Sequence, residues 1–401
     1  MADTFQRVRA DVDLDAILHN ARKMREGLSP QTRMMAVVKT DGYGHGSVPI
    51  ARLLEAEDFI YGFAVATPEE AFALRDHGIK KPILILGYTF PYAYERMAGE
   101  GIRGTVFAEG TLPEMSRAAK AAGKPLKVHI KVDTGMGRVG IRPDDEGLSF
   151  VRALKEYARD GSLEIEGIFT HFAKADERDL SETERQLKLF REFTERIGAE
   201  EEIDIPIKHC ANSATILRLR EAQMNVVRAG IALYGLSPSD EVPADGYGLR
   251  PALSLHSRVV YVKTLRKGQS VSYGGLFTAE HDMRIATVPV GYGDGYPRSL
   301  SCGKGYVLIR GERAPILGRV CMDQFMADVS GISDVAAGDA VTLLGSDGGE
   351  RITAEQLGAW SGRFDYELVC DLNRRVPRVF YREGRIVGIL DSDGFRGEET
   401  L

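Results

Sequence analysis

Residues 34–46 read MMAVVKTDGYGHG, an apolar run that ends on Lys39 and is followed at once by three glycines, Tyr43 and His45. A lysine closing such a run is either a surface charge leaving the core or an amine held where its proton is expensive. Similar endings recur downstream. LKVHIKVD closes on Lys131 and Asp133 and leads into TGMGR with Arg138, LEIEGIFTHF ends at His171, IPIKHCANS carries His209, Asn212 and Ser213, and NVVRAGIALYG carries Arg228, Gly230 and Tyr234. Any one of these is more often a solvated or satisfied residue at a strand end. Five apolar runs that agree reverse that reading, and together they assemble an amine, two guanidiniums and two imidazoles.

Two chemistries want this set. A phosphate is best held by outward-pointing backbone N–H groups at glycine turns and helix N-termini, which Ser213 and the stretch Ala229, Gly230, Ile231 can supply. An aldehyde cofactor needs a lysine amine for attachment, and Lys39 has only Asp41 as a carboxylate neighbour in sequence. Pyridoxal 5'-phosphate meets both needs. The glycines of TDGYGHG lack the Gly-Lys-Ser/Thr ending of a nucleotide loop. No His/Cys pair stands at metal-ligand spacing, so no metal is expected. Tyr234 and Tyr261 read as core tyrosines, His45 and His209 as structural residues, and Cys321 as packing beside Met322.

Positioning these groups requires a regular frame. Eight short apolar runs alternate with segments of helical period, among them TPEEAFALRDHG, LPEMSRAAKAAG, EGLSFVRALKEYARDG and SETERQLKLFREFTERIG. Another helix, DLDAILHNARKMREGL, precedes the first run. Such alternation demands parallel pairing, and eight units predict a (β/α)8 TIM-type barrel, with an open doubly wound sheet as the alternative. Catalytic side chains then belong at the C-terminal strand ends, where the polar residues fall. The texture changes near residue 240. Beyond it, alternating runs such as LSLHSRVVYVKTL, YVLIRGERAPILGRV and AVTLLG predict a mostly β domain interrupted by one helix, TAEQLGAWSG. The expected layout is a barrel over residues 1–240, whose first residues are allowed to pair with the second domain, a β domain over 241–389 and a frayed polar tail over 390–401.

Composition narrows the partner. The 401 residues carry a net charge of -6 and no dense basic block, which argues against a nucleic-acid surface and for a small molecule. Four scattered cysteines suggest no disulfide scaffold, and no run has the length of a signal peptide or a membrane span. A cytoplasmic protein without membrane contact is expected.

AVVKTDGYGHG, KVDTGMGRVG, THFAKAD, VRAGIALYG, VSYGG, VGYGDGYPR, GRVCMDQFMADV and RVPRVF together closely resemble the alanine racemase family of fold-type III enzymes that use pyridoxal phosphate. The resemblance spans about residues 12–382. It implies that Lys39 carries the cofactor, that Tyr43, Ser213, Gly230, Ile231 and Tyr366 bind its phosphate, and that Arg228 faces the pyridine nitrogen with His171 hydrogen-bonded to it. Arg138 and the backbone of Met322 would bind the substrate carboxylate, and Tyr292 with Tyr366 would form the inner gate of the entry corridor. Lys131 stands where some members carry a carbamylated lysine that orients the residue here numbered Arg138. The implied function is interconversion of L- and D-alanine, supplying D-alanine for bacterial cell-wall peptidoglycan. The implied assembly is a homodimer with shared sites.

Racemisation needs a base on each face of a planar carbanion, and Lys39 and Tyr273 would be that pair, with Tyr273 coming from the other subunit. A tyrosine, with a pKa of about 10 in water, must be pushed toward phenolate, and Arg228 and the imidazole of His171 are expected to act as the cations that do so. A decarboxylase of similar architecture would place an acid rather than Arg228 at the pyridine nitrogen. A non-catalytic cofactor-binding barrel would leave the residues after 240 without purpose. A broad-specificity or serine racemase stays open beside the alanine enzyme, because a side-chain methylene changes selectivity by only about 1–3 kcal/mol.

Overall fold

A computed structural model describes residues 7–398. The chain opens on strand β1 (Val8–Asp13) and the helix Leu14–Glu26, then enters eight strands: β2 (Arg33–Val37), β3 (Ile60–Val65), β4 (Ile83–Ile85), β5 (Ile102–Val106), β6 (Leu126–Lys131), β7 (Leu163–Phe169), β8 (Ile207–His209) and β9 (Val226–Ala229). They pair in chain order, and β9 returns to lie parallel to β2. Consecutive order closing on the first strand is a (β/α)8 barrel, not an open doubly wound sheet. The remaining seam, between β8 and β9, carries no ladder. It is bridged by the Lys208 amide donating to Asn225 Oδ1 at 2.7 Å and the Arg228 amide donating to the Ala211 carbonyl at 3.0 Å.

The strands are predominantly apolar because both faces are covered, and every residue of β3 is buried. The helices begin where the sequence caps them. Thr67 and Glu70 close a capping box on Pro68–Asp76, and the Asp144 carboxylate accepts from two amides at the start of Asp145–Arg159. That second helix buries Leu148, Val151 and Leu154, a stripe spaced by three that lies on one face.

The chain divides into two units, one holding Ala16–Gly42 and Ser47–Arg250, the other holding β1, Tyr43–Gly46 and the chain from Pro251 onward. In this division the barrel unit ends at Arg250, and a four-residue stretch behind Lys39 sorts with the second unit. In that unit β1 runs antiparallel to Leu253–Arg258 and parallel to Arg378–Arg382. The strand order of its main sheet is Tyr261–Leu265, Met283–Val288, Phe325–Asp328, Glu312–Leu317, Tyr306–Ile309, Ala340–Asp347, Leu253–Arg258, β1, Arg378–Arg382, Arg385–Asp391 and Gly394–Gly397, with Glu350–Ile352 paired to Ala340–Asp347 off this path.

Two expectations are corrected here. LSLHSRVVYVKTL is not one strand: it breaks after Arg258, and its second half becomes the terminal strand of the sheet, where Tyr261 is 58% exposed rather than a core residue. The tail is not frayed up to residue 398. Asp391 and Gly394 pair across a two-residue turn, Gly394 at φ 102 permits the reversal, and the Phe395 ring meets Phe380 edge-on at 5.8 Å. Residues 399–401 lie outside the described residues. Among the described residues no helix is long and apolar enough to cross a membrane.

Candidate active site

Strand β2 ends at Val37, and Lys39 opens a turn of the wrong hand. Thr40, Asp41 and Gly42 all sit near φ/ψ of +50°/+50°, and Tyr43 follows at φ 51. Left-handed backbone costs about 1–2 kcal/mol for each residue with a Cβ, so its neighbours must hold it. The Gly42 amide donates to the Val38 carbonyl at 2.8 Å, the Thr40 amide donates to Glu70 Oε1 at 2.6 Å, and Asp41 Oδ1 accepts from the Ser47 amide and hydroxyl at 2.8 and 3.1 Å. Asp41, the one carboxylate near Lys39 in sequence, is therefore engaged in shaping the turn. Lys39 itself is half-buried.

The other strand ends converge on Arg228. Its guanidinium is buried, with Nη1 donating to Nδ1 and the carbonyl of His209 at 2.9 and 3.0 Å. Nη2 donates to the carbonyls of Thr170 and Cys210 at 2.8 and 3.1 Å and to His171 Nδ1 at 3.3 Å. Burial, with Arg138 nearby, lowers its pKa to about 10, so it stays charged at neutral pH. Phe169 stacks on His209 at 4.8 Å and lies under both Arg228 and the Lys131 ammonium. Lys131 donates to the Val132 carbonyl at 3.0 Å, and burial, reinforced by Arg228 and Arg138, lowers its amine to about 7.

His171 records the electrostatics of this rim. Burial and then four cations, Arg228, Arg138, Lys131 and Lys39, hold it well below its ordinary pKa. It is a neutral acceptor of the arginine's proton, which corrects the expectation that it acts as a cation toward Tyr273. Three full charges and a partly protonated Lys131 around one imidazole are tolerable only where an anion completes the site. The phosphate and carboxylate of the expected ligands fit that requirement.

Ser213, buried at the start of the helix Ser213–Arg218, accepts from the Gly230 and Ala232 amides at 3.0 and 3.3 Å, joining the two strand ends expected to cradle phosphate, and Ile231 follows directly. Asn212 caps that helix through Thr215. Asp133 Oδ1 accepts from the Gly135 and Gly137 amides and so shapes the loop that leads to exposed Arg138. Tyr234 is a core residue, its hydroxyl donating to the Val37 carbonyl at 2.8 Å.

The second unit carries the remaining candidates. The Tyr43 and Tyr366 rings meet edge-on at 6.3 Å, and burial raises the Tyr43 phenol well above its ordinary pKa. Gly44 lies so close to the helix Asp365–Cys370 that a Cβ there would stand 1.9 Å from the Val369 carbonyl oxygen, and its own carbonyl accepts from Arg378 Nε at 2.9 Å. Tyr292 and Met322 share backbone bonds: the Tyr292 amide donates to the Cys321 carbonyl at 3.1 Å and the Gly293 amide to the Met322 carbonyl at 2.9 Å. Tyr273 sits on a short turn after Ser272, whose hydroxyl donates to the Arg319 carbonyl at 2.6 Å. Its side chain, like those of Met322 and Tyr292, is exposed, at 68%, 53% and 42%.

Sequence reasoning missed several residues that hold these groups. Asp294 is buried, binds Arg7 in bidentate fashion, and shares Arg375 with Asp323, which ties the Tyr292 loop to the Met322 loop. The structural reading of His209 did not name its partner, which is Arg228. Behind it lie His129 and Glu166. Their signal was present: in LKVHIK the polar residues fall at 127, 129 and 131, one face of an otherwise buried strand.

Comparisons with known proteins agree with this geometry. Residues 12–238 match the alanine racemase N-terminal domain family and residues 252–380 the alanine racemase C-terminal domain family. The chain is 44% identical to the alanine racemases of Desulforamulus reducens, over 92% of this chain and 98% of that one, and of Desulfovibrio desulfuricans, over 94% and 99%. Its fold superposes on the crystal structure of the Bacillus anthracis alanine racemase with bound L-Ala-P at a TM-score of 0.90, with 39% identity over 97% of this chain and 99% of the other.

Proposed function

The chain belongs to the alanine racemase family, and from that membership we propose that it interconverts L- and D-alanine with pyridoxal 5'-phosphate held at the barrel rim. The observation that carries the reading is the cluster of Lys39, Lys131, Arg138 and Arg228 around neutral His171, a cationic rim suited to one phosphate and one carboxylate. Bound there, the cofactor withdraws electrons from the α-carbon and so acidifies its proton. The chain's own residues do the rest.

Lys39 attaches the cofactor and moves the α-proton on one face of alanine. Tyr43, Ser213, Gly230, Ile231 and Tyr366 bind the phosphate, Arg138 and the Met322 amide orient the substrate carboxylate, and Tyr292 and Tyr366 line the way in. Arg228 spends Nη1 and Nη2 on five protein acceptors, and none of those bonds uses Nε, which remains for the pyridine nitrogen. Placed beside that nitrogen, the charged Arg228 guanidinium would not give up its proton to it, which would favour simple proton return over side reactions. Lys131 has an amine that is partly neutral near pH 7 and so can add CO2 to give a carbamate, releasing one proton; that anion would face Arg138.

Tyr273 is the base on the opposite face, and its exposure supports the reading that it works against another surface: Tyr273 of the partner subunit serves each barrel in a homodimer. A cytoplasmic location is consistent with four cysteines that, among the described residues, form no disulfide. The test is incubation of the pure protein with a panel of L-amino acids in D2O, followed by borohydride reduction and peptide mapping. Alanine should lose optical activity and gain α-deuterium ahead of larger amino acids, and the label should sit on Lys39. A label on another lysine, or exchange without inversion, overturns the proposal.

A further inference from the structure

Beneath the rim, a line of buried polar side chains leads away from Arg228 into the barrel. Arg228 Nη1 lies 2.9 Å from His209 Nδ1, His209 Nε2 lies 2.9 Å from His129 Nδ1, and His129 Nε2 lies 3.2 Å from Glu166 Oε2. The two ends dictate direction, because a guanidinium only donates and a carboxylate only accepts. His209 must therefore accept at Nδ1 and carry its proton on Nε2. That proton is donated to His129 Nδ1, so His129 also carries its proton on Nε2 and donates it to Glu166. An imidazolium or the opposite tautomer at either histidine would set two donors face to face.

The far end is anchored. Arg103 grips both oxygens of Glu166, Nε to Oε2 at 2.8 Å and Nη2 to Oε1 at 2.9 Å, while Lys127 adds 3.1 Å to Oε1 and the Tyr61 hydroxyl 3.3 Å to Oε2. Two cations keep the carboxylate ionised, so it remains an acceptor.

We propose that His209, His129 and Glu166 form a one-way donor chain that fixes the orientation and charge of Arg228, which makes His129 and Glu166 positioning residues of the racemase site. The proposal rests on the role assigned to Arg228 above. Glu166→Gln tests it through hydrogen-bond geometry. An amide NH2 in the place of Oε1 would oppose two fixed donors, Arg103 and Lys127. In the place of Oε2 it opposes only one, since Tyr61 can rotate its hydroxyl to accept and His129 can change tautomer. The amide should therefore take the Oε2 position and drive His129 to its Nδ1–H form, which sets it against the Nε2–H of His209 and breaks the chain there, or at Arg228 if His209 changes tautomer in turn.

The experiment is long-range 1H–15N spectroscopy of the full-length holoenzyme labelled with 15N-histidine, which has only 8 histidines to assign. In the unsubstituted protein His129 and His209 should both be neutral Nε2–H tautomers from pH 6.5 to 9; an imidazolium or an Nδ1–H form at either overturns the chain whether or not the variant folds. In Glu166→Gln, His129 should switch tautomer, with kcat down by about 10–100-fold and KM for alanine changed by less than about threefold. Unchanged tautomers, or a switch with kcat within about twofold, also overturns it. If instead borohydride labels a lysine other than Lys39 while the tautomers are as described, it is the reading of the site that fails.

Discussion

The barrel unit and the β unit present their chemistry in opposite ways. On the barrel, Arg228 and His209 are buried and bonded on several sides, so charge and orientation are set before any substrate arrives. On the β unit, Tyr273, Met322 and Tyr292 stand on turns with much of each side chain open. Groups that define an electrostatic field profit from rigidity and low dielectric, whereas groups that must meet a mobile substrate, or a second surface, cannot be buried in their own fold.

The hardest blow to this contrast comes from dividing the two bases between chains. Lys39→Ala and Tyr273→Phe proteins should each lose about 10^2–10^4-fold in racemisation, Tyr273→Phe mainly in proton abstraction from L-alanine. Mixed dimers place both lesions in one site and neither in the other. Random mixing should restore about a quarter of normal activity, read from α-deuterium wash-out in the whole mixture after mass spectrometry has verified that about half of its dimers are mixed. Recovery no greater than either parent would mean that the exposed tyrosine does not serve a second chain.

The β unit also has a rigid portion, and glycine substitutions locate it. Gly44→Ala forces a Cβ against the Val369 carbonyl at a left-handed φ and should lower unfolding free energy by at least about 3 kcal/mol in urea titration. Gly110→Ala on the barrel meets open space and has no positive φ, so a change within about 1 kcal/mol is expected. Equal effects would show that Gly44 is not pinned.

A smaller effect comes with pH and weighs most on the barrel, which holds three depressed imidazoles, while the β unit holds His256, lowered to about 4 by burial. His129, His171 and His209 are held below their ordinary pKa by burial, so the unfolded chain binds protons that the native barrel refuses. Stability is then complete above about pH 6.5 and falls as the medium turns acid, by about 1 kcal/mol per histidine between pH 7.5 and 5.5. Urea midpoints measured at both values check this, and a midpoint that holds or rises in acid would show these imidazoles to be charged in the native state.

What the sequence makes legible follows from range. The eight barrel strands and their polar ends could be read because each is a local apolar run with a helix behind it. The site of Tyr261 could not, and for the first residues only pairing with the second domain could be allowed, since the actual neighbours lie hundreds of residues away, Val8 with Ser257 and Ala10 with Arg378. The left-handed turn after Lys39 showed only through Gly42; nothing in Thr40, Asp41 or Tyr43 announces a positive φ. His129 and Glu166 alternated correctly with the apolar residues, yet only barrel closure brings them into line with His209.

The unlaced seam between β8 and β9 has a mechanical consequence. Where neighbouring strands elsewhere in the barrel exchange a ladder of backbone hydrogen bonds, here one, from the Arg228 amide to the Ala211 carbonyl, is reinforced by the Arg228 guanidinium, which donates to the His209 and Cys210 carbonyls and acts as a buckle on the ring. The side chain proposed to face the cofactor ring therefore also governs how readily the barrel springs open. Amide exchange along β8 and β9 becomes a gauge of whether the cofactor ring is in place, and any redesign of the chemistry at Arg228 must supply a new fastener for the hoop.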